Sequence, residues 1–240
     1  MRQVPVDETA YLIIGNGRLA RHLMRYLALL NIPYRQYTRK SPDQFKSYIS
    51  GISHVLVLIS DTEIVNFVTE NKPFTKPDTI WIHCSGLVTT ELAESAHPLT
   101  SFSDHLFDLD FYKTIPFVLE KGRRPFFELF PSMPNPHVTI ESSEKEHYHA
   151  MCVLSGNFST ILWMEFEKYL STQLCVPGST MLPYLKSITQ NLEHSSDPLT
   201  GPLKRNDQQT ISKHLENLGD SPLKNIYTSF VNFYAKNQTS

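Results

Sequence analysis

Residues 11–20 read Tyr-Leu-Ile-Ile-Gly-Asn-Gly-Arg-Leu-Ala, and Arg21-His22-Leu23-Met24-Arg25-Tyr26-Leu27 carries the run on with helical spacing. A short apolar strand, a glycine turn and a helix in immediate succession form the setting in which Gly15-x-Gly17-x-x-Ala20 binds a dinucleotide. Gly15 permits the tight turn. Gly17 has no side chain, so a pyrophosphate can approach its backbone. Ala20 stands in place of a third glycine and still lets the helix pack closely on the strand. The free N–H groups and the positive end of that helix then face the phosphates. Gly15, Asn16, Gly17, Arg18 and Leu19 are therefore the first candidate cofactor residues. A purely structural strand-to-helix turn is the bland alternative.

The rest of the first half alternates strand and helix. Strands are expected at Pro33–Thr38, His54–Ser60 and Thr79–Cys84, then at Ala96–Phe102, Ile115–Glu120 and His137–Glu141. His54–Ser60 is nearly continuous in branched apolar residues, as parallel strands covered on both faces are. Asp61 is placed to cap the next helix. After about residue 142 no alternation returns. Ser142 or Ser143 opens a long helix reaching about Leu170, with Met151, Leu154, Phe158, Ile161 or Leu162, Phe166 and Tyr169 on one apolar face. Three more helices follow at Thr180–His194, Asp207–Leu218 and Pro222–Lys236. The expected architecture is α/β, a Rossmann-type mostly parallel sheet over 1–141, followed by a smaller all-helical domain over 142–240.

Composition narrows the function. A net charge of −2 offers no global field for nucleic acid. No apolar run is long enough for a membrane span, and the N-terminal residues lack the apolar core of a signal peptide. Three widely spaced cysteines, Cys84, Cys152 and Cys175, fit reduced thiols in a cytoplasm rather than a disulfide scaffold or a zinc finger. His147 and His149 lie two apart on a helix and point to different faces, so no metal site is expected.

The end of the second strand bears on the choice of dinucleotide. NAD sites carry an Asp or Glu there. This chain has Gln36-Tyr37-Thr38-Arg39-Lys40-Ser41. Arg39 can hold a 2′-phosphate in its planar fork, with Lys40 and Thr38 beside it, which favours NADP(H). A solvated basic turn is the alternative. Ser60 and Asp61 at the end of strand three, and Ser85 at the end of strand four, would border the ligand.

Three further groups carry possible chemistry. Thr200-Gly201-Pro202-Leu203-Lys204-Arg205 is a cationic bend that would hold a small anion, or a capped loop with exposed charges. Ser155-Gly156-Asn157 puts two poor helix formers inside an apolar helix. Asn157 there would serve either a core carbonyl or a substrate oxygen. His97 is placed to act as acid or hydrogen-bond donor, or is an ordinary half-buried histidine.

Taken in order, Gly15-x-Gly17-x-x-Ala20, His83-Cys84-Ser85-Gly86, His97-Pro98-Leu99, Ser155-x-Asn157 and Thr200-Gly201-Pro202-x-x-Arg205-x-Asp207 resemble one group of proteins. These are the Rossmann-like oxidoreductases with a small helical C-terminal domain, related to 6-phosphogluconate dehydrogenase. The group includes the PanG-type alternative ketopantoate reductases. Two departures stand out. Asn206 occupies a position where the group has glycine, and Val153 stands where related enzymes carry a lysine one turn before the asparagine. The resemblance implies NADPH-dependent reduction of a 2-oxo acid, with ketopantoate to pantoate as the leading case. It implies Asn157, His97 and Lys204 as catalytic residues, and Arg205, Ser85 and Thr200 on the substrate. It also implies a homodimer. The rivals are a reductase of another oxo acid or an imine, and a non-catalytic NADP(H)-binding sensor or scaffold.

Overall fold

The computed structural model describes residues 10–38 and 45–237. The first strands and helices are β1 (Tyr11–Ile14), α1 (Arg18–Leu29), β2 (Tyr34–Tyr37), α2 (Phe45–Tyr48), β3 (His54–Val57) and α3 (Asp61–Asn71). Then come β4 (Ile80–His83), β5 (Glu94–Pro98), α4 (Leu109–Thr114), β6 (Phe117–Glu120), α5 (Phe126–Leu129) and β7 (His137–Ile140). The remainder is helical: α6 (Lys145–Cys152), α7 (Ser159–Thr172), α8 (Leu182–His194), α9 (Gly201–Lys204), α10 (Gln208–Asn217) and α11 (Pro222–Asn237).

The strands form one sheet in the order β2-β1-β3-β4-β5-β6-β7. β1 to β5 run parallel; β6 meets β5 antiparallel and pairs with β7 in parallel. This is a Rossmann-type α/β fold followed by a helical region. Alternation along β1 shows why both faces are covered. Tyr11 and Ile13 pack with Leu23, Tyr26 and Leu27 of α1 on one side, whereas Leu12 and Ile14 join Ile64 and Val68 of α3 on the other. Buried polar groups inside this core are mostly paired. Asn135 accepts from Tyr26 Oη at 2.7 Å and donates to the Tyr112 and Ile115 carbonyls at 2.7 and 2.9 Å.

Several expected boundaries move. β5 starts at Glu94 rather than Ala96 and ends at Pro98 rather than Phe102, because the Thr100 amide turns back onto the Pro98 carbonyl at 2.9 Å. Ser60, not Asp61, holds the cap position of α3, and Asp61 is its first helical residue. The short α4 and α5 were not expected. The expected long helix is not uniform in type: Val153–Phe158 is π-helical between α6 and α7. The apolar residues along it, from Met151 and Leu154 to Phe158, Ile161 and Tyr169, are exposed.

The described residues divide into two compact units, one ending at Ile161 and the next beginning at Leu162. That division lies beyond residue 141, where strand alternation stops. The reason is α6, which is tied to the sheet through Lys145 and Tyr148. No helix among the described residues is long and apolar enough to cross a membrane.

Candidate functional site

A cleft of about 540 Å³ opens at the carboxyl ends of β1, β3 and β4, beside the N-terminus of α1. β1 lies between β2 and β3, so chain order reverses here; ligands of open α/β sheets bind at such a switch point. Gly15, Asn16, Gly17, Arg18, Leu19, Thr38 and Ser60 all line the cleft, with Asp61, Cys84 and Ser85 at its other side. Arg39 and Lys40 lie outside the described residues.

The two glycines of the turn differ physically. Gly15 has φ +119°, and a Cβ on it would overlap the Leu58 carbonyl oxygen, so its own fold demands glycine. Gly17 has φ −73°, which any residue adopts, and a Cβ there would meet nothing within 4 Å. Nothing among the described residues explains the second glycine; the close approach of a ligand does. Gly17 caps α1 without a side-chain bond, and the first turn of α1 holds no acidic residue. The orphan N–H groups of that turn are thus left for an anion. Gln36 steadies the turn through Nε2, which donates to the Gly15 carbonyl at 2.8 Å and to Asn16 Oδ1 at 3.2 Å. Arg18 Nε stands 3.6 Å from Asp104, which Arg21 also pairs.

Ser85 sits at the end of β4 with its hydroxyl fully engaged. It donates to Asp61 Oδ2 at 2.7 Å and accepts from the Leu87 and Val88 amides at 3.1 and 3.0 Å. It shapes the loop and holds the Asp61 carboxylate at the cleft wall.

Beyond Ser85 a second cluster begins. His97 Nδ1 shares a 2.7 Å hydrogen bond with Tyr148 Oη. A Cβ on Gly86 would lie 2.7 Å from His149 Cδ2 and 3.3 Å from His97 Cδ2 and Nε2, so two imidazoles close over that glycine. Burial, then the nearby charges of His149 and Lys145, push His97 down to about 4, so it is neutral at pH 7. Lys145 is buried, and its Nζ donates to Glu120 Oε1 at 2.7 Å, to Ser95 Oγ at 2.8 Å and to the Val88 carbonyl. All three of its N–H donors are used. It acts as an anchor and a fixed charge. His83, fully buried beneath this cluster, has no hydrogen-bond partner on either ring nitrogen among the described residues. Burial, followed by the charge of Lys145, takes it down to about 4.

Asn157 lies on the π-helical turn and is exposed, so it is not the buried residue its apolar setting suggests. Such turns are frequent at functional sites. The carbonyls loosened by the wider winding are met by side chains: Ser155 Oγ donates to the Met151 carbonyl at 2.6 Å, and Thr160 Oγ1 to Gly156 at 2.8 Å. A Cβ on Gly156 would meet nothing within 4 Å.

In the second unit, Thr200 caps α9 without a side-chain bond. Lys204 is ion-paired with Asp197, which raises its pKa. Arg205 is exposed and forms no ion pair within the distance of a salt bridge among the described residues. Asp207 caps α10, accepting from the Thr210 amide at 3.0 Å and the Thr210 hydroxyl at 2.7 Å. Asn206 adopts φ +53°, the left-handed conformation that glycine takes most readily and Asn tolerates.

Sequence reasoning missed Lys145, Tyr148 and His149 as neighbours of His97. All three lie in a helix whose pattern gave no cue to the strand it packs on. Among the described residues no cluster of ligating side chains could hold a metal ion.

These features define a Rossmann-type fold with a nucleotide-sized cleft at its switch point. A family model described as a domain of unknown function, DUF2520, matches residues 119–232. Similar solved structures cover nearly the whole chain. One is the Bacteroides fragilis protein BF3122, provisionally named an NADP oxidoreductase. It is 17% identical over 97% of this chain and 100% of that one, with a TM-score of 0.78. Protein TM1727 of Thermotoga maritima is 23% identical over 94% of this chain and 97% of its own, at 0.68. The pyrroline carboxylate reductase of Plasmodium falciparum, solved with NADP bound, is 10% identical over 95% of this chain and 97% of its own, at 0.58. No curated protein matches the chain. At these identities the likeness is one of fold.

Proposed function

We propose that this chain is an NADP(H)-dependent oxidoreductase that reduces a small 2-oxo acid, with ketopantoate as the leading substrate. The observation that carries the reading is the contrast between Gly15, which the fold requires, and Gly17, which no contact among the described residues requires and a close ligand explains. The names of BF3122 and of the NADP-bound pyrroline carboxylate reductase agree with the cofactor. Gly17 and the α1 N-terminus would hold the pyrophosphate, and Thr38, Arg39 and Lys40 the 2′-phosphate. Bound there, the cofactor supplies a hydride. The chain must orient the acceptor and meet the charge that develops on its oxygen.

In this reading His97 offers a hydrogen bond to that oxygen, since it is neutral near pH 7. Asn157 offers another from the π-helical turn. Arg205 binds the carboxylate, with Thr200 beside it on the same bend. Lys204 is the weaker acid because Asp197 holds its proton. The exposed apolar face of the α6–α7 helix takes a second copy of the chain, giving a homodimer in a cytoplasmic enzyme. Sedimentation equilibrium tests that part.

The function is tested by following NADPH absorbance with ketopantoate, pyruvate, 2-oxoisovalerate and a cyclic imine. Turnover with ketopantoate above the others supports the reading. Turnover with the imine alone moves the substrate class. Tight NADPH binding with no turnover on any acceptor favours a sensor.

A further inference from the structure

We propose that His149 is the proton donor of the reduction, working beside His97 across Gly86; the inference rests on the oxidoreductase reading above. Gly86 follows directly on Ser85, the last residue of β4's end to line the cleft. Its Cα is covered by two imidazole edges, one from β5 and one from α6, with ring centroids 6.3 Å apart and nearly perpendicular planes. Two imidazoles meeting on one backbone atom beside a cleft are placed for proton work.

The neighbouring groups leave His149 as the donor. His97 has Nδ1 committed to Tyr148, which leaves Nε2 on the side facing Gly86. Lys145 has no free N–H. Asp61 Oδ2 is engaged as the acceptor of the Ser85 hydroxyl. His149 is half-buried and so can exchange its proton with water. The charges that face the pair are Lys145 on α6, Asp61 on α3 and Glu120 on β6, with His83 on β4 and Tyr148 and Cys152 on α6 as the other titratable groups. The charge of a protonated His149 disfavours a second proton on His97, so the two rings do not act as equal donors.

The step balances simply. Hydride adds to the carbonyl carbon, the C=O π pair moves to oxygen, and that oxygen takes the proton of the His149 imidazolium. Water then returns a proton to the ring. Oxo acid, NADPH and one proton become hydroxy acid and NADP⁺.

The test uses the full-length protein with His149→Gln and His149→Asn. The kcat of each variant is expected to fall by about a hundredfold, the lower range for a positioned acid. The parent's decline in kcat at high pH should disappear, while NADPH fluorescence titration stays unchanged. A second readout needs no cofactor: imidazole NMR of the apo protein should show the His97 titration midpoint rising once His149 is gone. If the parent turns over and both variants match it within twofold with the same pH profile, His149 is not the donor. An unmoved His97 midpoint overturns the pairing itself. If the parent fails to oxidise NADPH with any of the acceptors, the oxidoreductase reading falls, and the donor role falls with it; a shifted His97 midpoint in that case identifies the reading, not the pairing, as the error.

Discussion

Lys145 Nζ lies 2.7 Å from Glu120 Oε1, and both side chains are almost wholly buried. This contact fixes α6 to β6 and thereby brings Tyr148 and His149 to His97. Glu120 is further held by Ser142, whose hydroxyl donates to Oε2 at 2.8 Å. Burial alone would raise the Glu120 pKa, but these hydrogen bonds and the Lys145 charge outweigh it and leave it lowered. Removing one partner of a buried pair strands the other charge, at a cost of about 3–5 kcal/mol. Lys145→Met should therefore lower the unfolding free energy by about that amount in urea melts. The double variant Lys145→Met/Glu120→Leu should recover much of it. A single variant within ~1 kcal/mol of the parent would show that the pair is not buried in solution.

Stability should also depend on mild acid. His83 has a folded pKa of about 4 against 6.5 when free, and burial is the main cause. The unfolded chain then binds more protons than the folded one between those values, so stability falls as pH drops from 6.5 towards 4. A shift of that size corresponds to roughly 3 kcal/mol for one group. His97 acts in the same window, and Glu120 adds its loss only lower, below its ordinary 4.5. His83→Leu removes a buried imidazole that has no hydrogen-bond partner among the described residues. It should be neutral or stabilising at pH 7 and should flatten the acid dependence measured by thermal melts. A variant as acid-sensitive as its parent would contradict this account of His83.

Arg205 and Asn157 are expected to differ in kinetic signature. A carboxylate contact is made in both ground and transition states, so Arg205→Ala should mainly raise KM. A charge-assisted bond is worth about 1.5–3 kcal/mol, or about ten- to a hundredfold. A hydrogen bond that strengthens as the oxyanion forms acts on the chemical step, so Asn157→Ala should lower kcat more than it alters KM. Steady-state kinetics with the preferred oxo acid separate the two. Parent-like turnover by both variants would remove these residues from the site.

Much of the nucleotide half was legible in the sequence. Gly15-x-Gly17 and the continuous apolar runs at residues 11–14 and 54–57 depend only on local backbone needs and on burial from both faces. The His97 environment was not legible, because it is made by residues some fifty positions apart: Tyr148 and His149 reach it only once α6 docks. The π-helical turn shows the intermediate case. Gly156 and Asn157 mark a place where an α-helix is disfavoured, yet propensity alone does not say that the winding widens there. α6 follows the last strand in the chain but packs back onto the sheet through Lys145 and Tyr148.

The glycine turn offers the most direct measurement. Gly15→Ala should destabilise the fold, because its Cβ would overlap Leu58 and its φ is +119°. Gly17→Asp should fold as well as the parent, since the space is open and Asp is a good helix cap. Its carboxylate would stand where the pyrophosphate is placed. Titrating NADPH and NADH into the parent and into Gly17→Asp, with melting temperature as the check on folding, tests the central claim. The account predicts saturable binding by the parent, tighter for NADPH than for NADH, and loss of that binding in a fully folded Gly17→Asp. A parent that binds neither dinucleotide, or a Gly17→Asp variant that binds NADPH as tightly as the parent, would contradict it.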